Sequence, residues 1–339
     1  MRILKIPPKY ELNKKVVLLL NEIEANKAII DSVNIPLELE KNIRRESIMG
    51  SALFSARIEG NTLTKVEMQS FASLPKKDRQ KIEVVNLCRV IEKLISKFSK
   101  KGRRILREDI LHWQKSSMKG ILSSEFSGVF RQGHEGIFDA AGNLVYHAPP
   151  PAEIPALIRE LLRFTNSKKE KLVLVRAIIA HLTFEKIHPF VDGNGRVGRL
   201  LQLAVLCASG YSMKGLLIVE EEIDNNRQDY YDAIESGAGS DCQDFLELML
   251  GFLRDASGKA KENLLAKQKD RSELDYLLPR QKEIALIIGE QKMISFDSLQ
   301  RRFLKISPRQ IAYDLQTLEK KGFIQKIGKT RGALYSAKT

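Results

Sequence analysis

The sequence predicts an all-α protein interrupted by one small β-hairpin and followed by a second, smaller domain. Three observations point there. Apolar residues recur at three- and four-residue intervals through most of the 339 residues, the period that lines one face of a helix. Residues 130–151 break that rhythm, with a turn near Gly142-Asn143 between two short extended runs, Ile137-Phe138 and Leu144-Val145-Tyr146, which is the pattern of a hairpin. The composition, 43% hydrophobic and 29% charged, is that of an ordinary globular chain and excludes wholesale disorder or a fibrous repeat.

In chain order, helices are expected at 8–33, 36–59, 65–74, 76–99 and 107–118, which makes residues 1–110 a helical N-terminal region. Gly60 closes the second of these helices as a C-terminal stop. Helical patterns resume at 154–165 and 171–187, restart after a glycine-rich loop at 196–209, and continue at 226–233 and 242–254, so a core over 111–254 carries the hairpin. Lys, Glu, Asn and Gln dominate 255–272, and Pro279 closes the stretch; it reads as a linker over 255–277 or a solvated helix. Helices at 280–290, 296–303 and 308–321 and an extended tail at 322–336, turning at Gly328 and Gly332, complete a domain over 278–339. That order of elements resembles a small winged helix domain, a winged helix-turn-helix.

The formal net charge is +14, and residues 280–339 hold 13 Lys and Arg against 5 Asp and Glu, a difference of +8, so the basic signal is local. Ser307-Pro308-Arg309-Gln310 is a capping box with proline at the first helical position. Ile311, Leu315 and Leu318 then line a core face, and the opposite face carries Arg309, Tyr313, Gln316, Thr317 and Lys320, with Lys326, Lys329 and Arg331 on the wing. Such groups contact bases and phosphates. Duplex DNA is one partner for that face, and a docked protein or a second copy of the chain in a homodimer is the other.

Cys88, Cys207 and Cys242 are odd in number and lack metal-ligand spacing, which argues for buried thiols and against disulfides or zinc. The most apolar stretch, 172–182, is interrupted by Arg176 and His181. No membrane partner and a cytoplasmic location are the resulting expectations.

The chemistry is concentrated in His188-Pro189-Phe190-Val191-Asp192-Gly193-Asn194-Gly195-Arg196-Val197-Gly198-Arg199. Pro189 ends the preceding helix at His188, whose imidazole can accept a proton near neutral pH. Gly193 and Gly195 let the backbone turn tightly against an anion, and the next helix aims free N–H groups and its positive dipole end at the same point. Arg196 and Arg199, three apart, share a face and offer two forks for phosphate oxygens. Asp192 supplies the lone carboxylate that suits Mg²⁺ beside a polyphosphate.

This string matches without a gap the motif His-x-Phe-x-Asp/Glu-Gly-Asn-Gly-Arg-x-x-Arg that defines Fic proteins, and the chain resembles that mainly helical Fic fold over residues 36–235. The resemblance implies that His188 deprotonates a Tyr, Ser or Thr hydroxyl of a target protein, which attacks the α-phosphate of ATP. It implies that Asp192 holds Mg²⁺, that Gly193, Asn194 and Gly195 form the anion hole, and that Arg196 and Arg199 bind the outer phosphates. Gly195 distinguishes the string from the Doc-like branch, where a lysine stands there and phosphate rather than AMP is transferred. The hairpin, with Ile137, Phe138, Val145 and Tyr146, resembles the family's target-docking flap. Asn226, Tyr230 and Tyr231 fall in the region that wraps adenosine, although either tyrosine suits the core equally well.

Ser55-Ala56-Arg57-Ile58-Glu59-Gly60 places Ser55 and Glu59 on one helical face. It resembles the inhibitory motif Ser/Thr-x-x-x-Glu-Gly/Asn, here ahead of the core. In that class the glutamate pairs with the last arginine of the catalytic motif, here Arg199, and occupies the γ-phosphate position. The expected activity is therefore AMP transfer from ATP to protein, restrained by Glu59. The alternatives are removal of AMP from a modified protein, or a DNA-binding or toxin-antitoxin-type regulator that uses the fold to sense nucleotide.

Overall fold

The computed structural model describes residues 4–65, 67, 78–100, 102–138, 144–167, 169–237, 241–269, 274, 277–304, 306–328 and 332–338. The helix expected at 65–74 lies almost wholly outside these residues. Two compact units emerge, one from residues up to 33 with 44–264, the other from 34–43 with residues from 265 onward. Apart from residues 34–43, the N-terminal region and the glycine-rich core thus share one unit. Among the described residues no helix is long and apolar enough to cross a membrane.

In the first unit α1 (Lys14–Ser32) starts on Asn13, whose side chain accepts from the Val16 amide; α2 spans Leu37–Ile58, with residues 44–58 in this unit. Asp78 caps α3 (Arg79–Phe98) in the same way, and α4 (Arg107–Ser117) follows. Strands β1 (Gly136–Phe138) and β2 (Leu144–His147) pair antiparallel, Ile137 opposite Tyr146, with a bulge after Ile137. Then come α5 (Ile154–Thr165), α6 (Val173–Ile187) and α7 (Asn194–Ala208). Helix α6 is buried nearly all round, as its apolar sequence requires. It packs lengthwise on α7, while α3 and α4 cover α7 and α5 covers α6. A Cβ on Gly198 would come within 2.2 Å of Glu185 Oε1 and 3.0 Å of His181 Cδ2, so glycine is what lets α7 lie so close to α6.

One helix was not anticipated and one expectation needs correction. Helix α8 (Val219–Asn225), followed by α9 (Arg227–Ser236), was hidden by its acidic run, because Glu220 and Glu222 are buried rather than solvated. The expected linker at 255–277 begins instead as packed helix: α10 runs Gln243–Lys269 and buries Ala256, Ser257, Ala260 and Leu264. Asn26 of α1 donates to Ser257 Oγ at 3.0 Å and accepts from Lys261 Nζ at 2.8 Å. Small residues at helical spacing among lysines and glutamates form that contact face, and composition alone does not register it.

The second unit contains α11 (Pro279–Gln291), β3 (Ile294–Ser295), α12 (Phe296–Arg302), α13 (Pro308–Lys320), β4 (Ile324–Ile327) and β5 (Leu334–Ala337). The strands form an antiparallel sheet in the order β3-β5-β4. Ile284, Ile288, Leu299, Ile311, Leu315 and Leu318 are among its core residues. Ser307 caps α13 by accepting from the Gln310 amide. Asp314, buried on the inner face of α13, pairs with Arg280 and accepts from Gln281 at 3.1 Å.

Candidate active site

Helix α6 ends at His188 in a left-handed conformation, φ 46° and ψ 60°, uncommon for a residue with a side chain. The histidine amide still donates to Phe184 O at 3.0 Å, and Pro189 cannot continue the helix. His188 Nδ1 lies 3.3 Å from Glu185 O. A proton on Nδ1 satisfies that carbonyl and leaves Nε2 as the free base.

Asn194 braces the loop that follows. Its Oδ1 accepts from the Phe190 amide at 2.9 Å and its Nδ2 donates to Phe190 O at 2.8 Å, so its side chain is spent on loop shape. Gly193 caps α7 with φ 89°, and the first helical bond runs from Val197 N to Gly193 O at 3.0 Å. The amides of residues 194, 195 and 196 therefore have no acceptor within the helix, and they form the anion-binding end. From outside, buried Gln114 of α4 donates to Asp192 O at 3.1 Å and accepts from the Gly128 amide at 2.5 Å. Met118, just after α4, would touch a Cβ on Gly193 at 3.1 Å.

Arg196 was expected to offer a free fork and does not. It is buried, and its Nε and Nη2 lie 2.6 and 2.5 Å from Glu83 Oε1 of α3. Glu83 Oε2 in turn accepts from Asn61 Nδ2 at 2.9 Å. Arg196 Nη1 reaches Asp192 Oδ1 only at 3.4 Å. The Asp192 side chain is 42% exposed, and among the described residues no group of three or more acids, histidines or cysteines could cage an ion. One accessible carboxylate fits Mg²⁺, which takes one or two carboxylates and completes its shell with water and phosphate oxygens.

Arg199 meets Ser55 and Glu59. Its Nε donates to Ser55 Oγ at 3.0 Å, and its Nη2 donates to Ser55 O and to Glu59 Oε1, both at 2.9 Å. Nη1 is buried with no hydrogen-bond partner among the described residues. Burial lowers the affinity of this guanidinium for its proton, but the groups around it, the Glu59 carboxylate first and then Tyr230 and Glu185, together more than compensate, and the net direction is upward. Glu59 Oε1 would also lie only 2.2 Å from a Cβ on Gly195, so glycine is what lets the carboxylate come this close. The glutamate thus presses on the first turn of α7 as it holds Arg199. It is placed there by the end of α2, where Gly60 takes φ 94° and the Asn61 amide donates to Ala56 O at 3.1 Å.

The adenosine expectation divides. Tyr230 is 1% exposed, and its hydroxyl lies 3.0 Å from His181 Nε2 within a cluster that includes Phe245. It is core and presents no ring face to a ligand. Tyr231 is exposed, and its hydroxyl donates to Ile58 O at 3.1 Å, beside Glu59. Asn226 donates to Glu222 O at 2.8 Å and joins α8 to α9. In the hairpin, Ile137 and Phe138 belong to β1 and Val145 to β2. Tyr146 donates to Lys186 O at 2.9 Å, with Lys186 Nζ 4.7 Å from its ring centroid.

Sequence reasoning missed Arg131 and Glu83. Buried Arg131 donates to His188 O at 2.7 Å, Gly133 O at 2.7 Å and Pro149 O at 2.6 Å, and its amide donates to Pro189 O at 2.9 Å. It ties the base of the hairpin to the histidine turn. A single arginine or glutamate without a motif carries no signal in one sequence; only burial distinguishes these two. In the second unit Arg309, Tyr313 and Gln316 are exposed, and Thr317 Oγ1 donates to Tyr313 O at 2.9 Å. Lys329 and Arg331 lie outside the described residues.

Residues 104–206 match the Fic/DOC family. A probable protein adenylyltransferase of Aquifex aeolicus is 46% identical over 65 residues, 19% of this chain and 20% of that protein. The protein adenylyltransferase Fic of Aedes aegypti is 25% identical over 217 residues, 62% of this chain and 41% of that protein. This chain therefore spans less than half the length of either relative. The crystal structure of a Fic family protein from Desulfovibrio desulfuricans G20 superposes with a TM-score of 0.66 at 26% identity, covering 97% of this chain and 98% of that one.

Proposed function

We propose that this chain, which carries a Fic/DOC family domain at residues 104–206, transfers AMP from ATP to a Tyr, Ser or Thr hydroxyl of a target protein and is restrained by its own Glu59. One observation carries the reading: Glu59 Oε1 sits on Arg199 and against Gly195 at the amide-lined start of α7, where a carboxylate stands in for a phosphate oxygen.

When Glu59 withdraws, Arg199 gains room for a terminal phosphate, and the buried Nη1 that now lacks a partner finds an acceptor. The amides of residues 194–196 and the α7 dipole hold the inner phosphates. His188 Nε2 takes the proton of the target hydroxyl, whose oxygen bonds to the α-phosphorus as the bond to the β-phosphate oxygen breaks and pyrophosphate leaves. A Mg²⁺ on Asp192 supplies charge neutralisation at the phosphates. The β1–β2 edge lines up an extended segment of the target by strand addition, and Arg131 fixes that hairpin to the histidine turn. With Gly195 the cradle has no side chain of its own, which favours AMP transfer over phosphate transfer. Incubation of Glu59→Gly protein with α-labelled and γ-labelled ATP tests this: label on protein from the α-position only is expected, and label from the γ-position would replace the reading with a kinase.

The second unit supports a further role as a winged helix. Arg309, Tyr313 and Gln316 are exposed on the face of α13 opposite buried Ile311, Leu315 and Leu318, which suits duplex DNA. Arg309→Glu with Lys320→Glu should abolish a salt-dependent duplex shift; an unchanged shift would remove this face from DNA recognition.

A further inference from the structure

We propose that the cleft between α3 and α4 is a binding site for a small, multiply charged phosphate anion, separate from the glycine-rich loop. Residues 79–120 hold 12 Lys and Arg against 4 Asp and Glu, a difference of +8 in a segment of the first unit. Helix geometry gathers part of that charge on one side. Arg89, Lys93 and Lys97 follow one another at four-residue spacing along α3, and His112 and Lys119 face them from α4 and the residues after it, across a cleft of about 410 Å³. That volume lies in the range of small-molecule sites.

A solvated basic face differs from this arrangement in two ways. Its cations disperse or find acids, whereas among the described residues Arg89, Lys93 and Lys119 have no acidic partner, and only Lys97 is neutralised, by buried Asp109. Like charges one turn apart repel each other, and an anion between them removes the repulsion. Its surface is also convex and polar, whereas this cleft has a floor of buried Val90, Leu94 and Trp113 with the amide of Asn86 at one end. A charged rim over an apolar floor fits a phosphate group attached to an organic body, or the phosphate alone.

The walls of the cleft are also the braces of the catalytic loop. On α3, Asn86 donates to Ser117 O at 3.2 Å and Lys119 O at 2.7 Å, and Glu83 one turn earlier holds Arg196. On α4, Gln114 holds Asp192. An anion that bridges the two helices tightens the frame on which the loop rests.

Calorimetric titration of the full chain with inorganic pyrophosphate, and separately with ADP, tests the site by binding; the glycine-rich loop also offers an anion-binding end, so the cleft is read from the binding component that depends on Arg89 and Lys93. Arg89→Ser with Lys93→Ser should weaken pyrophosphate binding about tenfold or more, while Glu59→Gly, which uncovers Arg199, leaves that binding in place. Tighter binding of ADP than of pyrophosphate identifies a nucleotide as the source, and equal binding identifies the free phosphate. Pyrophosphate should raise the melting temperature of the wild type and not of the double variant, which should itself melt no lower than wild type in the absence of ligand. No pyrophosphate binding to the wild type, or binding indifferent to the double substitution, would overturn the proposal.

Discussion

Arg196 and Arg199 stand three residues apart on α7, and each is held by a glutamate from elsewhere in the chain, yet the two pairs differ in almost everything else. Glu83 meets Arg196 with both partners under one tenth exposed, and Asn61 satisfies its second oxygen. Glu59 meets Arg199 from the last turn before a left-handed glycine, with its side chain 24% exposed and Arg199 Nη1 left without a partner. The first pair is closed and the second is open to exchange. A buried ion pair with every group satisfied behaves as scaffold, because breaking it strands a charge. A pair with one spare donor and one accessible acid behaves as a latch, because another anion can replace the acid.

That contrast can be broken in several ways. The largest effect concerns what the latch covers: in the Glu59→Gly background, His188→Ala should lower AMP transfer by about 10²–10⁴-fold, the usual worth of a general base, read as label on protein from α-labelled ATP. Retained transfer would mean that another group takes the proton. Next, Glu83→Ala should cost about 3–5 kcal/mol in chemical denaturation by stranding Arg196, with no gain in transfer. Activation resembling that of Glu59→Gly would make the two pairs equivalent and end the distinction.

A smaller effect is expected from Arg131→Met, which leaves buried carbonyls unpaired and should lower stability by roughly 1–3 kcal/mol. Because the guanidinium orients the histidine turn rather than ATP, kcat should fall more than the KM for ATP rises. The smallest effect is a pH dependence. Burial pushes the Lys186 ammonium down to about 8, so the cost of burying its charge is full below that pH. The cost fades as pH rises from about 8 toward the ordinary lysine value of 10.5, because there the unfolded chain binds the extra proton. The melting temperature of Lys186→Met relative to wild type should therefore be highest near neutral pH and should shrink above pH 8; a difference independent of pH would assign the effect to packing.

The sequence made the glycine loop and Glu59 legible because their chemistry is written in contiguous residues at fixed spacing. His188, Gly193, Gly195 and the Ser55–Glu59 spacing each have a reading before any coordinates. Glu83, Gln114 and Arg131 do not, since each is an isolated polar residue whose role depends on burial and on partners tens of residues away. Tyr230 was open between an adenosine contact and the core, and only its packing around His181 decides for the core. The polar start of the expected linker was misread for a related reason: Ala256, Ser257 and Ala260 pack well because they are small, and hydrophobic periodicity gives small residues little weight. Among the helix starts only Ser307 was read from its cap; Asn13 and Asp78 cap α1 and α3 several residues after the starts expected at 8 and 76.

The most direct measurement of the central claim compares AMP transfer from α-labelled ATP by the wild-type chain and by Glu59→Gly under identical conditions. If the carboxylate on Arg199 holds the place of a phosphate, the variant should be faster by about two orders of magnitude, the scale of a coupling near 3 kcal/mol. Equal rates for the two proteins would show that Glu59 is an ordinary ion-pair partner and not a brake.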